Sequence, residues 1–490
     1  MALLQYGDYK PDLSDYEAST SRTITNVLPQ GDGYGPVKDF TTLSQALPGL
    51  CRGGFYAVKS DGSIVVFAGT STDLYLMSNT DYSWSKVSKG GVSYSGLTAT
   101  ANWQFAQFGN FVLATQANAP LQLYDLTSST AFADCLGSPP QAAYIAIVGR
   151  FTVLSGLLSF PYRIQWSGLN SINAANSWTS GINSSDFQDF SDGGVIRGVA
   201  GGEYGTIFQD QAIRRMIYSP GSAVIFQISR MTQDQGLFTP YSLVQSGPDI
   251  FFYSARGFYK VSPGTLPVQI GRERVDRTFF MDLDKSSPQL MIGASDPRTS
   301  RVYWAYKSTS GQVAKYDKII GYDKVLDKWF TFNMKGQYIL GLSQPNITLE
   351  GLDAIFPNID LMPGSLDSYA SQVLPELSQF NDSNVLGFFR GANLEATLDT
   401  GEQGWDADRI YVNGFKPVTD APTVYGSITY RETPGVAVTY TPEVLINSRT
   451  GRCDIRKSTR YARMQIRIPA GTAWSYTSGV EPDIRQNGKT

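Results

Sequence analysis

The sequence predicts an all-β protein: a β-propeller of about six to eight blades, followed by a small C-terminal β-sandwich. Three observations point there. Aromatic residues make up 13 % of the 490 residues, with 28 Tyr and 26 Phe, a composition that suits pleated, half-buried strands better than helices. Long stretches with helical spacing are nearly absent, whereas short strand-length runs recur in pairs. Hairpin signals stand near residues 61, 109, 149, 210, 256 and 310, roughly 50 residues apart, which is about the repeat of a four-stranded propeller blade. A large meander β-sandwich is the competing architecture, because no fixed residue marks every repeat.

Taken in order, residues 1–50 precede the first clear hairpin. They combine an acidic beginning (Asp8, Asp12, Asp15, Glu17) with turn residues at Pro29, Gly31, Gly33 and Gly35. They read as an extended arm that completes the last blade or clasps a neighbour. Residues 51–342 carry the propeller pattern. FYAVKSDGSIVVFAG turns at Asp61-Gly62, NWQFAQFGNFVLATQA at Gly109-Asn110 and AYIAIVGRFTVLSG at Gly149-Arg150. Third strands follow at 73–78, 121–127, 162–168 and 223–229. Trp84, Trp166, Trp178 and Trp329 fall near repeat ends. There, large aromatics fill the space between blades, so they are expected at least half buried on strands or strand edges of different blades. The apolar stretch 142–160 approaches membrane-helix length, but Gly149-Arg150 splits it into two β-rich runs, so it reads as a hairpin. Residues 343–385 break the rhythm as a loop-rich connection with a short helix near 370–378. From 386 to 490, six short strand patterns predict the β-sandwich.

The chemistry is bounded by what is missing. The chain has no histidine, which removes Ser-His-Asp and Cys-His triads, His-ligated zinc and a His general base. Its three cysteines, Cys51, Cys135 and Cys453, are far apart and read as buried thiols in a chain made in a reducing compartment. The net charge of −3 gives no chain-wide attraction to nucleic acid. The first residues show no basic and apolar secretion-signal pattern.

Several motifs compete with plainer explanations. Asp61-Gly62 is a hairpin turn that lacks the alternating ligands of a calcium loop. The segment 78–86 is a poor Asp-box. The glycines of 193–205 precede strands, so they permit tight turns and do not cradle phosphate. Three sets of loop acids (Asp186, Asp189 and Asp192; Asp282 and Asp284; Asp406 and Asp408) could serve a glycosidase, but spacing in a loop fixes no catalytic separation. No catalytic, cofactor or metal residue is therefore assigned, and no enzymatic activity is expected. The basic run is more distinctive: Arg449, Arg452, Arg456, Lys457, Arg460, Arg463 and Arg467 oppose only Asp454. Alternation puts Met464, Ile466 and Ile468 on one strand face, with Arg463, Gln465 and Arg467 on the other. The run's middle is expected on an exposed hairpin loop. Arg456, Lys457 and Arg460 are the candidates for a subunit contact with acidic loops of a neighbour; a solvated face and contact with DNA are the alternatives.

The segments SWTSGINSSDFQDFSDGGVIRGVAGGEYGTIFQDQAIRRMIYSPG and QDQGLFTPYSLVQSGPDIFFYSARGFYKVSPGTLPVQIGRERVDRTFF resemble the central blades of one family. These are the tail hub, or packaged-DNA stabilisation, proteins of short-tailed bacteriophages and the related nozzle proteins. AIFPNIDLMPGSLDSYA and GFFRGANLEATLDTGEQ resemble that family's crossing into its C-terminal domain, and RYARMQIRIPAGTAWSYTSGVEPDIRQNGK resembles its last strands. The resemblance covers about residues 50–490 and carries no catalytic residue. It implies a virion tail protein made in the host cytoplasm, a homo-oligomeric, hexameric ring. That ring would extend the portal channel, retain packaged DNA and allow genome ejection. Its implied partners are a portal adaptor, fibre, spike or plug proteins, and double-stranded DNA passing without sequence recognition; no cofactor or small-molecule substrate is implied. Two rivals remain: a propeller glycosidase that degrades host surface polysaccharide, and a receptor-binding tail-tip protein.

Overall fold

A computed structural model describes residues 3–13, 20–222, 224–345, 358, 375–404 and 408–488. Strands take 49 % of the chain and helix 4 %, so the protein is all-β. Seven antiparallel sets of four strands follow one another, here called sheets 1 to 7. They span residues 54–86, 104–134, 142–189, 196–233, 244–269 and 292–336, with the seventh starting at Tyr338–Leu342. Each expected turn signal separates two strands of one sheet. At the first, Gly62 takes a φ of 83° and the Lys59 N–H donates to the Ser63 carbonyl at 2.8 Å; a side chain would be strained in that left-handed region. The hairpins are not equivalent, however. In sheets 1 to 3 the signal joins the first two strands, and in sheets 4 to 6 the second and third. The 142–160 stretch forms the paired strands Ala142–Val148 and Phe151–Leu157.

Neighbouring sheets pack in chain order. Sheets 4 and 5 meet at Phe208 and Phe252, ring centroids 5.1 Å apart. The seventh sheet returns to the first, where Val66 and Ala68 share a core with Leu340, Leu342 and Phe380. The arrangement is propeller-like. Large aromatics fill its seams. Trp103 is fully buried and donates its indole N–H to the Thr70 carbonyl at 2.8 Å. A Cβ on Gly69 would lie 2.4 Å from that indole ring, so only glycine lets the chain pass. Trp304 donates to the Ser242 carbonyl at 2.9 Å, and Trp329 to the Ile270 carbonyl at 3.2 Å. Of the four expected tryptophans, Trp84, Trp166 and Trp329 lie on strands. Trp178 is buried in the turns between two strands of sheet 3, the sheet that also holds Trp166. The expectation of four different blades fails there.

The expected arm does complete the last sheet, but the two ends of the chain are joined more closely than a separate arm and C-terminal unit would be. Glu376–Phe380 pairs with Tyr338–Leu342, Val385–Phe388 pairs with Glu376–Phe380, and Thr41–Ala46 completes this seventh sheet from the N-terminal side. The expected divisions at residues 50, 342 and 385 therefore run through one sheet. Residues 376–378, placed in a short helix by the sequence, are strand; 370–374 lie outside the described residues. Upstream, Ile24–Thr25 inserts between Lys328–Gly336 of sheet 6 and Ala396–Asp399. This extends sheet 6 into an eleven-stranded sheet that runs on through Tyr461–Ile468 and Tyr425–Arg431. A second sheet joins Val27–Pro29, Tyr34–Pro36, Thr477–Gln486, Ile410–Thr419 and Lys457–Thr459. Between the two lies one core that includes Ile24, Tyr34, Leu398, Val412, Phe415 and Ile466. The N-terminal arm thus belongs to both regions of its own chain.

Candidate functional site

The basic run lies in this C-terminal region, and the structure divides it into two groups. Three of its cations are neutralised within the chain. Arg452 pairs with Asp454 and Asp483, each at 2.9 Å. Arg467 reaches Glu443 at 2.6 Å and Glu395 at 2.9 Å and lies over the Tyr425 ring. These bonds hold the Glu443 carboxyl below its usual range. Arg463 is buried, with Asp399 at 3.5 Å and Glu402 at 3.6 Å. Its strand alternates as expected, but Arg463 on the polar face is covered while Gln465 and Arg467 are half-buried. The remaining four, Arg449, Arg456, Lys457 and Arg460, have no acidic partner within ion-pair distance among the described residues.

The expected hairpin loop is mostly strand. Lys457 opens the strand Lys457–Thr459, which pairs with Ile410–Val412, and its ammonium stands 3.7 Å from the Tyr430 ring centroid. Thr459 is buried and donates its hydroxyl to the Arg431 carbonyl at 3.0 Å, which pulls this stretch into the sheet. Only Arg456, just before it, and Arg460, in the bend to Tyr461–Ile468, project as exposed ends.

The buried acids and their second arginine were not anticipated. Glu402 accepts two bonds from Arg431, at 2.9 and 3.1 Å. Asp399 accepts the backbone N–H groups of Arg22 and Thr23 at 3.1 and 3.0 Å. Burial pushes the Asp399 carboxyl up, and Arg463 and the Thr23 N–H oppose that. These partners stand tens to hundreds of residues apart, so no spacing in the sequence could have joined them.

The candidate acid sets do not converge on a cavity. Asp189 forms a two-pronged pair with Arg163 at 2.6 and 2.8 Å. Asp192 meets Arg214 at 2.5 Å and also Arg230. Asp284 meets Lys307 at 2.5 Å, and Asp282 meets Lys318 at 2.8 Å. Asp186 accepts the Ser180 hydroxyl, and Asp408 accepts the Gln486 amide; Asp406 lies outside the described residues. Asp61 accepts the Ser63 N–H, and strands follow the 193–205 glycines. The first strands of the sheets line a central cavity of about 480 Å³. Tyr144, Tyr241, Tyr338, Gln104 and Gln245 face it, and its lining residues include no carboxylate. Cys51, Cys135 and Cys453 are all buried. Burial raises each thiol to about 12, which keeps it protonated and unreactive.

No family model and no curated protein matches the chain. Among solved structures, one similar fold is the extracellular domain assigned to a hybrid two-component system of B. thetaiotaomicron. It is 8 % identical, with a TM-score of 0.40, over 82 % of this chain and 47 % of that one. The chain thus spans about half of that protein's length. Another is an exported protein of Bacteroides fragilis, 9 % identical, with a TM-score of 0.31, over 79 % of this chain and 99 % of that one.

Proposed function

We propose that the chain is a structural virion protein, the nozzle or hub of a short-tailed phage. Its seven sheets form a seven-bladed propeller, and the two C-terminal sheets form a sandwich. Copies assemble into a ring that extends the portal channel, retains packaged DNA and releases it during ejection. The observation that carries this reading is the strand Ile24–Thr25, which makes sheet 6 and the C-terminal sheet one continuous surface. A subunit under internal DNA pressure must be stiff, and a shared hydrogen-bonded sheet removes the hinge between its two parts.

The central cavity limits where DNA can pass. At about 480 Å³ it has the size of a small-molecule pocket (~300–1,000 Å³), so a duplex passes through the lumen of the ring and not through one subunit. Arg456, Lys457 and Arg460 meet a neighbouring subunit in the assembled tail. The glycosidase reading needs paired carboxylates at one cavity, and the lining of the central cavity supplies none.

Electron microscopy of intact particles tests the proposal. The expected result is a closed ring of this chain on the portal axis. Its location on peripheral appendages, or saturable glycan hydrolysis that a single Asp→Asn change abolishes, overturns it.

A further inference from the structure

We infer that the subunits join head to tail through two strand edges of opposite character: the hairpin around residues 432–446 of one copy and the edge of sheet 3 of the next. This rests on the ring reading and names its contact.

The hairpin is the outer border of the eleven-stranded sheet. Thr439–Tyr440 and Val444–Leu445 both pair with Tyr425–Arg431, and their far side carries no further strand among the described residues. Residues 432–440 are exposed throughout. Val436 is 57 %, Tyr440 56 % and Leu445 51 % exposed, and residues 433–442 hold no charge. Soluble proteins usually guard such an edge with charges, or cover it. Its own two acids, Glu432 and Glu443, are neutralised by Arg409 and Arg467. What remains beside it is positive. Lys457 stands on Tyr430, next to the hairpin's end. Arg460 adjoins Tyr461, the register partner of Arg431. Arg449 lies past the other end.

Sheet 3 offers the complement. Its last strand, Asp186–Asp189, pairs only with Arg163–Trp166, so its outer edge is free. It reads Asp-Phe-Gln-Asp. Among the described residues Arg163 is the one cation bound to it, held by Asp189, so the edge keeps a negative excess at Asp186. Around it Leu158, Phe160, Tyr162 and Phe187 are exposed. Phe160 and Phe187 flank the same guanidinium, at 4.2 and 3.8 Å, which shows that they form one patch.

Position decides the geometry of association. The hairpin is carried by the sheet that grows from sheet 6. Sheet 3 lies three places away around the seven-sheet array in one direction and four in the other. The two surfaces therefore belong to different sheets and do not overlap. A contact between unlike patches repeats from copy to copy, giving a ring when the rotation closes.

The test uses the full chain with two exposed double variants. Asp186→Lys with Phe187→Ser damages the sheet 3 edge; Val438→Glu with Tyr440→Ser damages the hairpin. Circular dichroism checks that both remain folded. Native mass spectrometry at micromolar concentration should show closed oligomers for the wild type and monomers for either variant, with association weakened roughly 30-fold or more. Mixing the variants should give dimers and nothing larger, because each keeps one intact surface. Variants that still form rings overturn this contact and leave the ring reading standing; a wild-type chain that stays monomeric also overturns the contact. A ring absent from imaged particles overturns the ring reading itself.

Discussion

The seven-sheet array and the C-terminal region solve the same problem, burying sheet faces, with different materials. In the array, nearly every sheet is built from consecutive residues, and its seams are closed by aromatic rings. Trp304 and Trp329 stack with centroids 6.0 Å apart, and Phe258 packs 4.8 Å from Trp304. The C-terminal region draws strands from both ends of the chain and fills its core mainly with aliphatic side chains. Buried ions secure the joins: Asp399 holds the backbone of Arg22 and Thr23 beside Ile24. A meander finds its partner because the partner comes next. A strand arriving from some 370 residues away needs polar groups that only one register satisfies.

The largest expected effect comes from removing the strands that cross between the regions. Without residues 1–36 the C-terminal core loses Ile24, Val27 and Tyr34, and five described strand pairings go with them. The region should unfold outright, forfeiting its whole stability, on the order of 5–15 kcal/mol for a domain. The array, which keeps Thr41–Ala46, should survive. Limited proteolysis read by mass spectrometry should then cut within 389–488 and spare 54–342. Cleavage spread evenly over both breaks the comparison.

Single substitutions sharpen it. Trp304→Ala leaves a large void and strands the Ser242 carbonyl, and should cost about 3–5 kcal/mol in urea unfolding. Arg431→Met should cost somewhat less, because Glu402 loses its nearest cation and both of its hydrogen bonds and, among the described residues, keeps only Arg463 at 3.6 Å. Changing Arg431 and Glu402 together to Met should recover most of that loss, since burying an ion pair is expensive from the start. No partner substitution should rescue Trp304→Ala in this way. If the double Met variant is as unstable as Arg431→Met, the ion cluster is not a device of registration and the contrast weakens.

The sequence made the array legible because its information is local. Each turn signal fell between strands of one sheet, and Gly62, Gly109 and Gly149 sit at left-handed turn positions. Which strands a hairpin joins was not legible, since first-to-second and second-to-third hairpins look alike. Nor were Trp103 and Trp304, the two largest side chains buried at seams apart from Trp329. Both lie within or beside strands, where nothing distinguishes a seam from a sheet face. In the basic run, charge density was visible but neutralisation was not, because Asp399, Glu402 and Glu443 reach Arg463 and Arg467 from separate strands.

The smallest effect, and the one with a distinctive sign, concerns two buried aspartates. Burial raises both Asp399 and Asp276. Asp399 faces Arg463, whereas Asp276, among the described residues, accepts only the Phe258 N–H at 3.0 Å and the Gln269 amide at 2.9 Å. It stands where a Cβ on Gly257 would lie 2.1 Å from its carboxylate, so it cannot swing out to water past that side. Its folded value of about 6 exceeds the unfolded ~3.9, so the folded chain binds the proton more tightly. Its contribution is then fully present below about pH 4 and is lost as pH rises through about 6, a change of about 2–3 kcal/mol. Asp276→Asn mimics the protonated acid once the Gln269 amide turns over. It should therefore stabilise the chain at pH 7 by up to about 2 kcal/mol, leave stability at pH 4 nearly unchanged, and flatten the slope between. Asp399→Asn should do the reverse at pH 7, because Arg463 then stays buried beside one fewer countercharge. Urea unfolding from pH 4 to 7 measures both. If the two substitutions move stability in the same direction at pH 7, the presence of a cation does not separate these two carboxyls, and desolvation alone governs each.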